Sequence, residues 1–133
     1  MTHEKEVEVR WRDLDAFGHV NHIVFLTYLE EARDEWLGRV LGDPGLVWGY
    51  VIARAEIDYR RELTLEDDVI VARCSLERLG TKSVTTSESV VTRAGETAAE
   101  AKAVLVARDE ESGGSRVISD DERAAFERAA VEA

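Results

Sequence analysis

Three features of the 133-residue sequence predict a two-layer α+β domain. Apolar residues recur at helical spacing after Asn21, the period then changes to two from Val51 to Arg108, and short turns interrupt that alternating stretch. Strands joined by short turns pair antiparallel, and one face of such a sheet can bury against the helix. The expected order is strand, long helix, antiparallel meander and short C-terminal helix, in a single domain spanning residues 1–133.

The first strand runs from Glu6 to Arg12, where Val7, Val9 and Trp11 alternate with charged residues. Asp13 to Val20 is a loop in which Gly18 is free to adopt a positive φ. Asn21 suits an N-cap, because its side-chain oxygen can accept from an orphan N–H of the first helical turn. Phe25, Tyr28, Leu29, Ala32, Trp36 and Val40 then mark a broad apolar face, widened by Val24 and Leu26. Glu30, Glu31, Arg33, Asp34 and Glu35 are assigned to the polar side, with Glu35 and Arg39 spaced for a helical ion pair. Gly38, Gly42, Pro44 and Gly45 are the stop signals.

In the next strand Val51, Ala53, Ala55, Ile57 and Tyr59 are expected on one face, and Arg54, Glu56, Asp58 and Arg60 on the other. A turn at Leu65–Asp68 leads to a strand over Val69–Leu79, with Ile70, Ala72, Cys74 and Leu76 facing one way. Gly80-Thr81 breaks it, and a strand rich in Val and Thr follows from Lys82 to Thr92. After a turn at Arg93–Glu96, the strand Thr97–Arg108 places Ala99, Ala101, Ala103, Leu105 and Ala107 on one face, small enough for a helix to approach closely. Asp109–Ser115 is a loop. Asp120–Val131 is a short helix capped by Ser119 or Asp120 and anchored by Phe126.

Composition excludes several function classes. The net charge of -11 argues against nucleic acid as a partner, since phosphate backbones need a basic footprint. Cys74, the only cysteine, lies in an alternating apolar pattern and reads as a small buried hydrophobe. No charged-then-apolar leader and no membrane-length apolar run is seen, so a soluble cytoplasmic protein with no membrane partner is expected. Lys5, Lys82 and Lys102 are the only lysines, and an acid-rich, lysine-poor surface would suit a salt-rich cytoplasm.

The chemistry concentrates between Arg12 and Arg33. Asp13 and Asp15 stand in a loop that runs straight into a helix start, where unpaired N–H groups and a partial positive charge are presented. A carboxylate beside such N–H groups can attack and polarise a carbonyl. On the residues alone, a local turn hydrogen bond is the stronger reading of each acid. His19 and His22 form an HxxH pair, but His19 precedes the helix and no further Cys or His lies nearby, so no metal site is expected. Gly80-Thr81-Lys82-Ser83 lacks the upstream glycine and following helix of a phosphate loop, though its turn N–H groups and Lys82 could meet an anion.

The run Arg12, Asp13, Asp15, Gly18-His19-Val20-Asn21, Tyr28, Glu31 and Arg33 resembles the hotdog-fold acyl-CoA thioesterases, closest to their 4-hydroxybenzoyl-CoA thioesterase-like branch. That branch shows D-x-D-x-x-G-H-V-N-N, then a Tyr and an E-x-x-R-like helix; Ile57-Asp58-Tyr59-Arg60 resembles its later strand. The resemblance implies a hotdog fold, a curved antiparallel sheet wrapped around a long central helix. It implies Asp15 as the catalytic acid, activating water or attacking the thioester, with the N–H groups near His22 and Ile23 holding the thioester oxygen and Asn21 shaping the loop. His19, Arg60, Arg61 and Lys82 become candidates for binding substrate, the last three for coenzyme A phosphates. It further implies a homodimer or homotetramer, coenzyme A as part of an acyl-CoA substrate, and no metal or redox cofactor. A carrier-protein thioesterase and a non-catalytic acyl-thioester-binding module are the alternatives. Two departures stand out: His22 replaces a second Asn, and Arg61-Glu62 replaces Arg-Pro.

Overall fold

A computed structural model describes residues 2–131. Its elements are β1 (His3–Glu8), α1 (His22–Leu41), β2 (Tyr50–Tyr59), β3 (Val69–Leu79), β4 (Ser83–Thr92), β5 (Thr97–Ala107) and α2 (Asp120–Val131). The five strands form one antiparallel sheet in the order β1-β3-β4-β5-β2. The meander β3–β4–β5 is its middle, and β1 and β2 are its edges. α1 lies across β3 and β4, with Phe25, Tyr28, Leu29, Ala32, Trp36 and Leu37 buried beneath it. The sheet answers with Ile70, Ala72, Cys74, Val84, Val90, Ala99 and Leu105, so the inward alanines of β5 join the same core, while α1 itself lies over β3 and β4. Ser119 caps α2, its Oγ accepting from the Glu122 N–H at 3.2 Å, and Phe126 closes the far side of the core.

The structure departs from the sequence expectations at five places, each with a local cause. The first strand ends early: the chain turns through a short 3-10 segment at Trp11–Asp13, which leaves Trp11 79% exposed instead of facing the core. That strand also begins before Glu6: His3 is buried in β1, with Nε2 3.1 Å from Glu35 Oε1. Arg33 is not on the polar side of α1. It is buried, and its Nε and Nη2 donate to Glu88 at 2.8 and 2.9 Å, while Thr86 Oγ1 donates to the same carboxylate at 2.6 Å. Gly38 does not end the helix; Gly42 does, at φ 77°. A side chain at Gly38 would meet Pro44 Cα at 3.3 Å, so glycine there lets the Pro44–Gly49 turn close on the helix. Finally, a bulge after Ile52 resets the alternation of β2. Residues paired directly across an antiparallel ladder point to the same face, so Tyr50 and Ile52 join Ala55, Ile57 and Tyr59 opposite the inward Ala107, Leu105, Ala103, Ala101 and Ala99, and Val51 and Ala53 do not.

Candidate active site

The loop between β1 and α1 is pinned first through Asp13. Its carboxylate accepts from the Arg10 N–H at 2.9 Å, the Arg10 Nη2 at 3.3 Å and the Tyr28 hydroxyl at 2.7 Å, and its carbonyl accepts from the Asn21 N–H at 2.9 Å. Burial by itself would raise the Asp13 carboxyl, but these hydrogen bonds outweigh it and hold its pKa below the usual carboxylate value. Tyr28 moves the opposite way, raised by burial and by donating to that carboxylate.

Two residues later the chain makes a second turn. Asp15 N–H donates to the His19 carbonyl at 2.8 Å, and Gly18, at φ 79°, donates back to the Asp15 carbonyl at 3.1 Å. A positive φ there is the reason for glycine. Asp15 Oδ1 accepts from the Phe17 N–H at 2.9 Å and, more weakly, from the His19 N–H at 3.4 Å. Oδ2 has no hydrogen-bond partner among the described residues. The acid is half-buried: oriented by one oxygen, open at the other.

The helix start follows at once. Asn21 caps it, with Oδ1 accepting from the Ile23 N–H at 3.0 Å and its carbonyl from the Val24 N–H at 2.9 Å. That leaves the His22 N–H, which donates to no described residue. Of the two N–H groups implicated by sequence, one is engaged by the cap and one is open. Across from them, Tyr59 at the end of β2 donates its hydroxyl to the His22 carbonyl at 2.7 Å and packs edge-on against the His22 and Phe25 rings, with centroids 6.2 and 5.2 Å apart.

These elements enclose an open cleft of about 340 Å³ that includes Asp15, His19, His22, Tyr59, Arg60 and Arg61. His19 Nε2 lies 3.1 Å from Glu62 Oε2, and the loop is zipped to the following segment by Val20 N–H to the Leu63 carbonyl at 2.7 Å. His19 and His22 therefore go to different partners, and no group of three or more metal-competent side chains occurs among the described residues. Arg60 stands within 3.8 Å of Asp58 and 3.5 Å of Glu100, and Arg61 reaches Asp67 at 3.1 Å and Glu96 at 2.9 Å. Lys82 is not brought here. Its carbonyl accepts from Ala107 at one end of β5, whereas Tyr59 pairs with Ala99 at the other, roughly 25 Å of strand away at ~3.3 Å per residue. Tyr59 and Glu62 are the cleft residues that the sequence did not single out. The signal for Tyr59 was its place in the Ile57–Arg60 segment at the end of a strand.

A model of the thioesterase-like superfamily matches residues 9–131. The chain belongs to that family. It is 33% identical over 86 residues to the long-chain acyl-CoA thioesterase FadM of Escherichia coli (strain K12), a match covering 60% of this chain and 62% of that relative, so under two-thirds of its length. The structure superposes on a thioesterase from Thermus thermophilus, solved with coenzyme A and Zn, with a TM-score of 0.88 at 32% identity over 97% of this chain and 94% of that one. A predicted thioesterase from Bacillus stearothermophilus gives a TM-score of 0.88 at 25% identity, covering 97% and 96%. The fold is the hotdog fold of these family members, a five-stranded antiparallel sheet curved over a long helix. No helix among the described residues is long and apolar enough to cross a membrane.

Proposed function

We propose that the chain hydrolyses an acyl-CoA thioester to the free acid and coenzyme A. The observation that carries this reading is the half-engaged Asp15. One oxygen is fixed by turn N–H groups, the other is open, and the carboxylate shares a cleft with His22, whose N–H at the helix start has no partner among the described residues. The open oxygen acts on the thioester carbon, by activating water or by direct attack. The His22 N–H receives the charge that develops on the thioester oxygen, and removing one such donor generally costs about 2.7–4 kcal/mol of transition-state stabilisation. The Ile23 N–H can contribute only if the Asn21 cap releases it. Water adds to the acyl carbon, the C–S bond breaks, and the thiolate leaves with a proton. Coenzyme A enters as part of the substrate, and no metal or redox cofactor is required by this scheme.

FadM is named for long-chain acyl-CoA and the Thermus thermophilus thioesterase was solved with coenzyme A, and both support the substrate class. Arg60 and Arg61 are the cations nearest the cleft for its phosphates. Each must exchange a carboxylate partner to serve, and Lys82 would reach the same cleft only from a second subunit. The acyl chain has an apolar path along the inner face of β2, from Tyr59 and Ile57 to Ile52. That path leads toward a groove of about 590 Å³ that includes Leu37, Val47, Trp48 and Leu105. The β2 edge offers unpaired backbone groups and half-exposed Val51 and Ile52, which supports a homo-oligomer paired through that edge.

The test is a hydrolysis screen over short, long and aromatic acyl-CoAs with thiol detection, run beside Asp15→Asn and beside the same acyl group on a carrier protein. Turnover that collapses in Asp15→Asn is expected. Tight acyl-CoA binding without turnover in the wild type would instead identify a binding module, and preference for the carrier-protein thioester would shift the substrate.

A further inference from the structure

The cleft at Asp15, the groove beside Trp48 and a trough on the outer sheet face all carry carboxylates, among them Asp15 and Glu62, Glu30 and Asp34, and Glu56 and Glu100. A fourth cavity, of about 240 Å³ where β1, α1 and α2 meet, does not: its described lining is His3, Trp36, Arg39, Val40, Ala125, Arg128 and Ala129. In a chain of net charge -11, a concavity with two guanidiniums and no acid in its described wall is an exception that asks for a cause. We propose that this cavity binds a small aliphatic carboxylate, its head between Arg39 and Arg128 and its alkyl part against Val40, Ala125 and Ala129.

Four observations support the assignment. Arg128 makes no ion pair with any described residue. Arg39 shares the single carboxylate of Glu35 with Lys5 and His3, at 3.0, 3.0 and 3.1 Å. His3 is occupied at both ring nitrogens: Nδ1 takes a long 3.5 Å contact from Arg39, which leaves Nε2–H to donate to Glu35. The histidine therefore anchors Arg39 and competes for no ligand. Trp36 is 3% exposed, and its Nε1–H has no acceptor among the described residues. A buried donor without a partner is rare in folded proteins, and this ring belongs to the wall of the cavity. The apolar remainder of the wall selects the ligand: it offers nothing to the extra oxygens of a phosphate dianion but can cover a short alkyl chain. Two guanidiniums match a carboxylate through paired N–H···O bonds. At ~30 Å³ per water, the cavity has room on the order of eight waters, which suits an acid of a few carbons.

The experiment is a titration of the full chain with sodium butyrate at constant ionic strength, following the Trp36 indole N–H in nitrogen-15 correlation spectra. A saturable shift is expected, with at least tenfold weaker binding in Arg39→Gln/Arg128→Gln, and weaker binding of acetate and of inorganic phosphate. Arg128→Gln alone, which removes an exposed side chain, should weaken binding in the same direction if the double variant folds poorly. No saturable shift, a shift reproduced by chloride, equal binding in the variants, or phosphate binding as tight as butyrate would each overturn the proposal. Acyl-CoA hydrolysis plays no part in the readout, so the outcome is independent of the reaction proposed above.

Discussion

The two turns between β1 and α1 each hold one carboxylate, and they hold them in opposite ways. In the first turn Asp13 is buried, and both its oxygens and its backbone carbonyl are engaged, by Arg10, Tyr28 and Asn21. In the second, Asp15 is half-buried and only Oδ1 is engaged. The first acid joins the end of β1, the cap of α1 and the body of α1. The second is merely aimed. A carboxylate with both oxygens engaged is committed to stability, while one fixed by a single oxygen keeps a reactive edge without losing its orientation. That contrast, more than the identity of either residue, is what separates a structural acid from a candidate catalytic one on the same loop.

The contrast breaks most visibly if the two acids respond alike to the same substitution. Asp15→Asn keeps an acceptor for the Phe17 N–H, so its melting temperature should stay near that of the wild type while acyl-CoA hydrolysis falls by about 10²–10⁴-fold. Asp13→Asn should do the reverse: a loss of about 1–3 kcal/mol in denaturant unfolding, with much of the turnover per folded molecule retained. Equal activity losses in both would erase the distinction.

Acid sharpens it. The folded Asp13 carboxyl titrates below its unfolded value of 3.8, so its contribution is fully present above that pH and is lost as pH falls through the folded value. The stability gap between wild type and Asp13→Asn should be constant from pH 5 to 8 and close below about pH 4. Glu122 is a control far from the loop. Burial opposes its ionisation, yet Arg116, Tyr50 and Ser119 hold its pKa down at about 2 against 4.5 unfolded. Glu122→Gln should cost about 2–3 kcal/mol at neutral pH, a gap that closes between pH 4.5 and about 2, with hydrolysis unchanged.

Most of the scaffold was legible because periodicity reports burial directly. α1 with its Asn21 cap, the β3–β4–β5 meander and α2 with Phe126 all lie where spacing and turn residues placed them. What spacing could not show were long-range pairings. Arg33 looks solvated on a helical wheel, and only its partner Glu88, on a strand distant in sequence, explains why it is buried. The bulge in β2 inserts one residue into a perfect alternation, which leaves no trace in composition. Trp11 continues the first strand's pattern, but the Asp13 turn ends that strand before it. At the site, residue order placed an acid beside a helix start. The resemblance made His19, Arg60 and Arg61 substrate candidates, which share the Asp15 cleft, and also Lys82, which the Gly80–Ser83 turn had suggested and which does not. A basic side chain in a turn says nothing about which end of the sheet that turn occupies.

The smallest expected effect tests the open side of the contrast. The Tyr59 hydroxyl donates to the His22 carbonyl from a side chain 44% exposed, so water can replace it when it is removed. Tyr59→Phe should therefore cost only about 0.5 kcal/mol of stability, the low end for a neutral hydrogen bond. The ring contacts with His22 and Phe25 survive in phenylalanine, so the aromatic wall of the cleft is kept. What changes is the tether on the peptide that follows the open His22 N–H. If that N–H receives the thioester oxygen, a looser tether should lower kcat by roughly threefold, about 0.6 kcal/mol in the barrier, with KM little changed. An unchanged kcat would mean that the Asn21 cap alone fixes the helix start, and the second turn would then depend on its own hydrogen bonds as fully as the first.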